Sequence, residues 1–211
     1  LFDVDIGFYL FHLPFYELEQ HLLGYLTFIT LAAVVSVYAM ATSAQAAGGR
    51  IPNITQGAIR HTSALLFVLV AVAGWQFYLD RYNLVYSTLG VVYGAGYAAD
   101  HVTRFALTFM LGVSIVSCAL LVLNFFRPQV RAIVIGAIAY VALYSLSVLL
   151  LPGLFQSYFV QPNELALETP YLKRYISLTR KAYGLDQVRQ PSYPALADLT
   201  PQALARNQDT I

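Results

Sequence analysis

The chain has 211 residues, of which 58% are hydrophobic and 11% charged, with a mean hydropathy of +0.62 and a net charge of +1. Ordinary soluble domains carry about 25% charged residues, so there is too little charge here to cover a water-facing surface. Disorder needs low hydrophobicity and high net charge, and nucleic-acid binding needs clustered positive charge in excess; both are set aside, and a membrane chain remains.

Residues 1–21 precede the first long apolar run and contain Asp3, Asp5, Glu17 and Glu19 around the aromatic stretch Asp5–Tyr16 (DIGFYLFHLPFY). This segment is too short to span and suits the bilayer interface, where aromatic rings settle between headgroups and acyl chains. Pro14 is expected to break or restart a helix there. Four charge-free stretches follow, at 22–42, 62–79, 105–126 and 132–155. Each is close to the roughly 20 residues that a helix needs to cross a core of about 30 Å. Leu65–Ala73 is continuously apolar rather than alternating, which argues against barrel strands. The predicted fold is all-α: a polytopic membrane protein with a four-transmembrane-helix bundle, interfacial amphipathic helices and an extracytoplasmic tail from residue 156.

The connections after the first and third spans hold Arg50, Arg60, Arg127 and Arg131 without an acid. The positive-inside rule therefore predicts these turns to be cytoplasmic and both termini extracytoplasmic. The first residue is Leu1 rather than Met, and the chain stops at Ile211 without a capping signal, which predicts a fragment of a longer polypeptide.

Between the second and third spans lies the most distinctive segment, running from Asp80, Arg81 and Tyr82 through Gly90, Gly94, Gly96 and Tyr97 to Asp100 and His101. Glycine allows close backbone approach, and the tyrosines at 82, 86, 93 and 97 supply flat amphipathic surfaces. A phosphate-binding loop would need a preceding strand, a following helix and, for the P-loop, a lysine; the expectation is instead a loop folded back on the helix ends, with Asp80 and Arg81 at the boundary. Asp100 and His101 are an acid/base or metal-ligand type of pair, but neighbours on a helix diverge by about 100° and cannot close a site alone. His12 and His21 fall on the same predicted side, yet a metal or haem site is not expected from histidines that all lie outside the spans. No cofactor is specified. Cys118 is the sole cysteine and reads as apolar filler. The spans contain no Asp, Glu, Lys or Arg, which makes a coupled pump a poor reading. Their small and hydroxyl residues, such as Ser36, Gly112, Ser114, Ser117 and Gly136, read as helix contacts.

In the tail, Asn163 and Glu164 open a segment in which Glu164 and Glu168 would share a helix face. Thr169 reads as an N-cap with Pro170 at the first helical position and Gly184 as the stop. That helix is amphipathic: Lys173, Arg174, Arg180 and Lys181 form a basic stripe opposite Tyr171, Leu172, Tyr175 and Ile176. Prolines at 191, 194 and 201 indicate a linker, with Thr200-Pro201 starting a short helix.

Three stretches in order, Asp5–Phe15 (DIGFYLFHLPF), Leu79–Tyr97 (LDRYNLVYSTLGVVYGAGY) and Val160–Asp186 (VQPNELALETPYLKRYISLTRKAYGLD), resemble uncharacterised protein family 0182, large bacterial integral membrane proteins. The resemblance implies about seven transmembrane helices followed by an extracytoplasmic domain, of which this chain would be the last four helices and the start of the domain. It implies no activity. The leading functional expectation is a non-enzymatic scaffold or accessory subunit of a larger membrane complex, whose partners are the lipid bilayer and other membrane subunits or the remaining helices and domain of the same protein. The alternatives are a transporter or channel for a lipid or small amphiphile gated by the glycine and tyrosine loop, and a membrane-surface enzyme using Glu164, Glu168, Asp100 and His101.

Overall fold

In lipid, every backbone N–H and C=O must be satisfied within the protein, which leaves helices or a closed barrel. The computed structural model describes residues 4–49, 53–188 and 201–206 and takes the helical solution, with no strand among the described residues. Four helical runs are long and apolar enough to cross a membrane: Phe8–Ala47, Gln56–Tyr86, Ala99–Phe126 and Val130–Ala182. The architecture is the all-α polytopic bundle that the charge-free stretches predict. Asp3, Arg50, Pro191, Pro194 and Thr200 lie outside the described residues.

A π-helical turn, Phe8–His12, leads directly into α1 (Leu13–Ala47). Pro14 falls at the junction where the π-helical turn passes into α1, and the aromatic segment and the first span run on as one continuous helix rather than breaking there. α2 (Gln56–Asn83) starts at Thr55, whose Oγ1 accepts the Ala58 N–H at 3.2 Å, and ends in a 3-10 turn, Leu84–Tyr86. Asp80, Arg81 and Tyr82 are therefore the last turn of α2 rather than the start of a loop. No glycine or proline lies between Asp80 and Gly90, and Gln76, one turn back, donates to Asp80 at 2.6 Å.

A π-helical turn, Ala99–Thr103, opens α3 (Arg104–Phe126). The last run begins with α4 (Val130–Tyr144), passes through a wide turn at Ser145–Leu150, α5 (Leu151–Phe155), a second wide turn at Gln156–Val160 and a 3-10 turn at Gln161–Asn163, and ends with α6 (Glu164–Ala182). It is not straight. Phe155 and Tyr171 would stand about 24 Å apart along a straight helix, yet their rings lie 6.4 and 6.5 Å from the ring of Tyr97. The run therefore bends between them, and in that stretch Pro162 and the change of helical pitch at Gln161–Asn163 loosen the hydrogen-bond ladder.

The expected helix start at Thr169 and Pro170 is corrected: α6 begins at Glu164, and Pro170 lies inside it. Thr169 turns its hydroxyl back to the Leu165 carbonyl instead of capping. Gly184 ends the helix as expected, with φ +65°.

The best-packed region is the crossing of α2 and α3. A Cβ on Gly74 would lie 3.0 Å from Ser114 Cβ, tighter than an ordinary side-chain contact, so glycine lets the two helices approach this closely without displacement. Phe77, Leu84, Ala99, Leu107 and Met110 form the buried apolar core beside it. Ser114 Oγ lies 2.8 Å from the Met110 carbonyl and 2.9 Å from Tyr140 Oη, tying α4 to the crossing. At the other end of the bundle, Asn124 Nδ2 donates to Ser63 Oγ at 2.9 Å while its Oδ1 accepts the Gln129 N–H at 3.0 Å. Other hydroxyls bond their own helix one turn back, as Thr27 does to Leu23 and Thr30 to Leu26, both at 2.7 Å. Ser114 is thus a helix contact as expected, whereas Gly112 and Gly136 face open space and Ser36 is exposed. Cys118 is half-buried, its Sγ 3.8 Å from the Phe67 carbonyl.

Two compact units divide the chain, Leu1–Lys173 and Arg174–Ile211. The second contains the end of α6, a 3-10 turn at Leu185–Gln187 and α7 (Pro201–Arg206). Within it Arg180 Nε lies 3.5 Å from Asp186 Oδ1, and Tyr175 and Ile176 of the apolar face are exposed.

Candidate functional site at the glycine and tyrosine loop

The loop between α2 and α3 is built by three glycines. Gly94 takes φ +125°, a conformation that side-chain-bearing residues rarely adopt, and donates its N–H to the Ser87 carbonyl at 2.8 Å, closing the loop on itself. Gly90 and Gly96 face each other so closely that a Cβ on Gly90 would meet Gly96 Cα at 3.5 Å. Against the side-chain-free faces of both glycines lies the carboxyl group of Glu168 from α6. A Cβ on Gly96 would lie 3.0 Å from both carboxyl oxygens. Glu168 is 1% exposed, and its Oε1 accepts the Tyr97 N–H at 3.0 Å. A buried carboxyl group without a partner is costly, so this bond and the glycine cradle are what permit an acidic residue here.

A second link lies beside the first. Asp100 Oδ2 accepts from Tyr171 Oη at 3.1 Å, while its Oδ1 pairs with Arg104 one turn later, also at 3.1 Å. His101 Nδ1 lies 3.1 Å from the Tyr97 carbonyl and 3.5 Å from Tyr171 Oη, and its ring stacks on Tyr97 at 4.2 Å. Phe155 of α5 stacks on the far side of this group, 6.4 Å from Tyr97 and nearly parallel to it. The arrangement is a latch. The loop and the start of α3 grip α6 by two carboxyl groups, one from each partner, over an aromatic stack.

Of the residues singled out from sequence, Gly96, Tyr97, Asp100, His101, Glu168 and Tyr171 come together, with Gly94 shaping the loop. The others do not join them. Asp80, Arg81 and Tyr82 end α2; Arg81 Nε is buried without a hydrogen-bond partner, and Tyr82 packs against Phe8 and Tyr9 at 5.0 and 6.5 Å. Asn83 beside them donates to Glu17, joining α2 to α1. Glu164 is exposed while Glu168 is buried, so the two carboxyl groups share no cleft despite their spacing. Asn163 is exposed, with Nδ2 3.5 Å from the Phe159 carbonyl, and Arg180 belongs to the ion pair of the second unit. Sequence reasoning missed Phe155 and Arg104. The position of Arg104 four residues after Asp100 was a readable signal, and the Phe155–Phe159 spacing was a weaker one.

Two cavities, of about 310 and 360 Å³, lie at the opposite end of the bundle, around the α1–α2 and α3–α4 connections.

The family described as Uncharacterised protein family (UPF0182) matches residues 1–211. The chain is 37% identical over its whole length to a UPF0182 protein of Salinibacter ruber, covering 22% of that protein, and 37% identical to one of Trichodesmium erythraeum, covering 23%. A UPF0182 protein of a Synechococcus species is 36% identical, with 27% of it covered. The chain thus spans about a quarter of the length of these curated relatives. No solved structure matches it. Matched by the family from end to end, the chain belongs to the uncharacterised protein family UPF0182.

Proposed function

We propose that this chain is a non-catalytic membrane scaffold that fixes the polypeptide leaving the fourth span against one mouth of the bundle, as an accessory part of a larger membrane assembly. The observation that carries this reading is the latch. The two carboxyl groups and the imidazole of the latch are engaged in holding elements together: Glu168 in the glycine cradle, Asp100 between Arg104 and Tyr171, His101 on Tyr97. A transporter gated by this loop has less support, because Glu168 packs against its glycines and the two cavities lie at the other end. The same reading places the latch end on the extracytoplasmic side, from the arginines at the opposite turns.

The test is purification of the full-length protein from native membranes in mild detergent, with and without Glu168→Ala. The reading expects a membrane partner in fixed stoichiometry with the wild type and reduced with the variant. A monomer without partners, or a partner indifferent to the latch, would overturn it.

A further inference from the structure

At the end of the bundle away from the latch, the beginning of α4 stands off α2 and leaves a cleft on either side. The first, about 310 Å³, lies between α2, α3 and α4; the second, about 360 Å³, lies between α1, α2 and α4. Ile133 lines both and divides them. The first cleft is apolar along Leu120 and Leu121 and carries Arg127 and Gln129 where α3 gives way to α4. Arg131 stands in the first turn of α4, between Val130 of the second cleft and Ala132 of the first.

We propose that this forked cleft binds one anionic phospholipid, an acyl chain in each arm and the phosphate over Arg127. Three observations choose this occupant. The volumes fall within the range of true ligand sites, about 300–1,000 Å³. The depth matches a single leaflet: from Arg127 to Ser117 is ten helical residues, about 15 Å, or half of a core of about 30 Å. A single packed helix, with a diameter of about 10 Å, cannot fill both arms around Ile133, whereas two chains sharing one headgroup can. The cation at the rim then selects for negative charge.

The full-length protein, delipidated in mild detergent, is titrated with phosphatidylglycerol or phosphatidylcholine and read by native mass spectrometry. Wild type is expected to hold one phosphatidylglycerol in preference to phosphatidylcholine. Gly136→Leu, which grows into the first cleft from a position with free space around it, is expected to lose it. Gly112→Leu, equally unobstructed but outside both clefts, keeps it. Arg127→Gln weakens phosphatidylglycerol about fivefold, the effect of one basic residue at a lipid surface, and leaves phosphatidylcholine unchanged. The proposal is overturned if Gly136→Leu binds like wild type, if wild type does not distinguish the two lipids, or if a photo-crosslinking residue at position 120 captures another segment of the protein instead of lipid. Should Gly136→Leu fail to fold, the Arg127 arm and the crosslink still decide.

Discussion

Glycine at position 96 is set by what stands opposite it. A methyl group there would press on both oxygens of Glu168 from 3.0 Å, and a shift of the carboxyl group away from it would strain its bond to the Tyr97 N–H. Gly96→Ala is therefore expected to destabilise the full-length protein by about 1–3 kcal/mol, the range for overpacking a tight site, seen as a lower midpoint of thermal unfolding in detergent. Tyr171→Phe removes one hydrogen bond to Asp100 and should cost about 1 kcal/mol or a little more. Glu164→Gln, on the exposed neighbour four residues away, should leave the midpoint within about 0.5 kcal/mol of wild type. Equal effects at Glu164 and Glu168 would revive the reading of the two as a working carboxylate pair. The divergence of Asp100 and His101 was legible in the sequence, since adjacent helical side chains point apart: one reaches Arg104 and Tyr171 and the other stacks on Tyr97. Their meeting with α6 was not. Tyr97 and Glu168 are 71 positions apart, and no local periodicity links them.

Among the elements, the spans themselves were legible because charge stops where hydrocarbon begins, and all four predicted stretches fall within the four long helical runs. Boundaries were harder. Thr169-Pro170 carries the local signature of a helix start, but Thr169 bonds back to Leu165 and the helix begins five residues earlier. Helix contacts were only partly legible, because small residues line lipid-facing and protein-facing sides alike. Gly74 is the informative case: it sits in the tightest crossing, while Gly112 and Gly136 face open space. Gly74→Leu should lower the unfolding midpoint, at a cost of about 1–3 kcal/mol, and Gly112→Leu should not. Loss of stability at both positions, measured by the same thermal scan, would mean that Gly112 is packed in the intact protein and that the α2–α3 crossing is not the special one.

For the whole molecule, low charge becomes topology once the charges are seen to collect at the two ends of the bundle. In a cysteine-free background of the full-length protein, a cysteine at Tyr93 should react with a membrane-impermeant maleimide in intact cells, and one at Gly49 only after lysis. The reverse pattern would invert the orientation drawn from the arginine turns. The central claim is that Glu168 closes the loop and holds it to α6, and hydrogen exchange at the Tyr97 amide reads that bond directly. In the full-length protein this amide should be protected, and Glu168→Ala should speed its exchange by about tenfold or more, equivalent to about 1.4 kcal/mol of local stability. Exchange at Tyr97 that is already fast in wild type, or unchanged by the substitution, would contradict the latch.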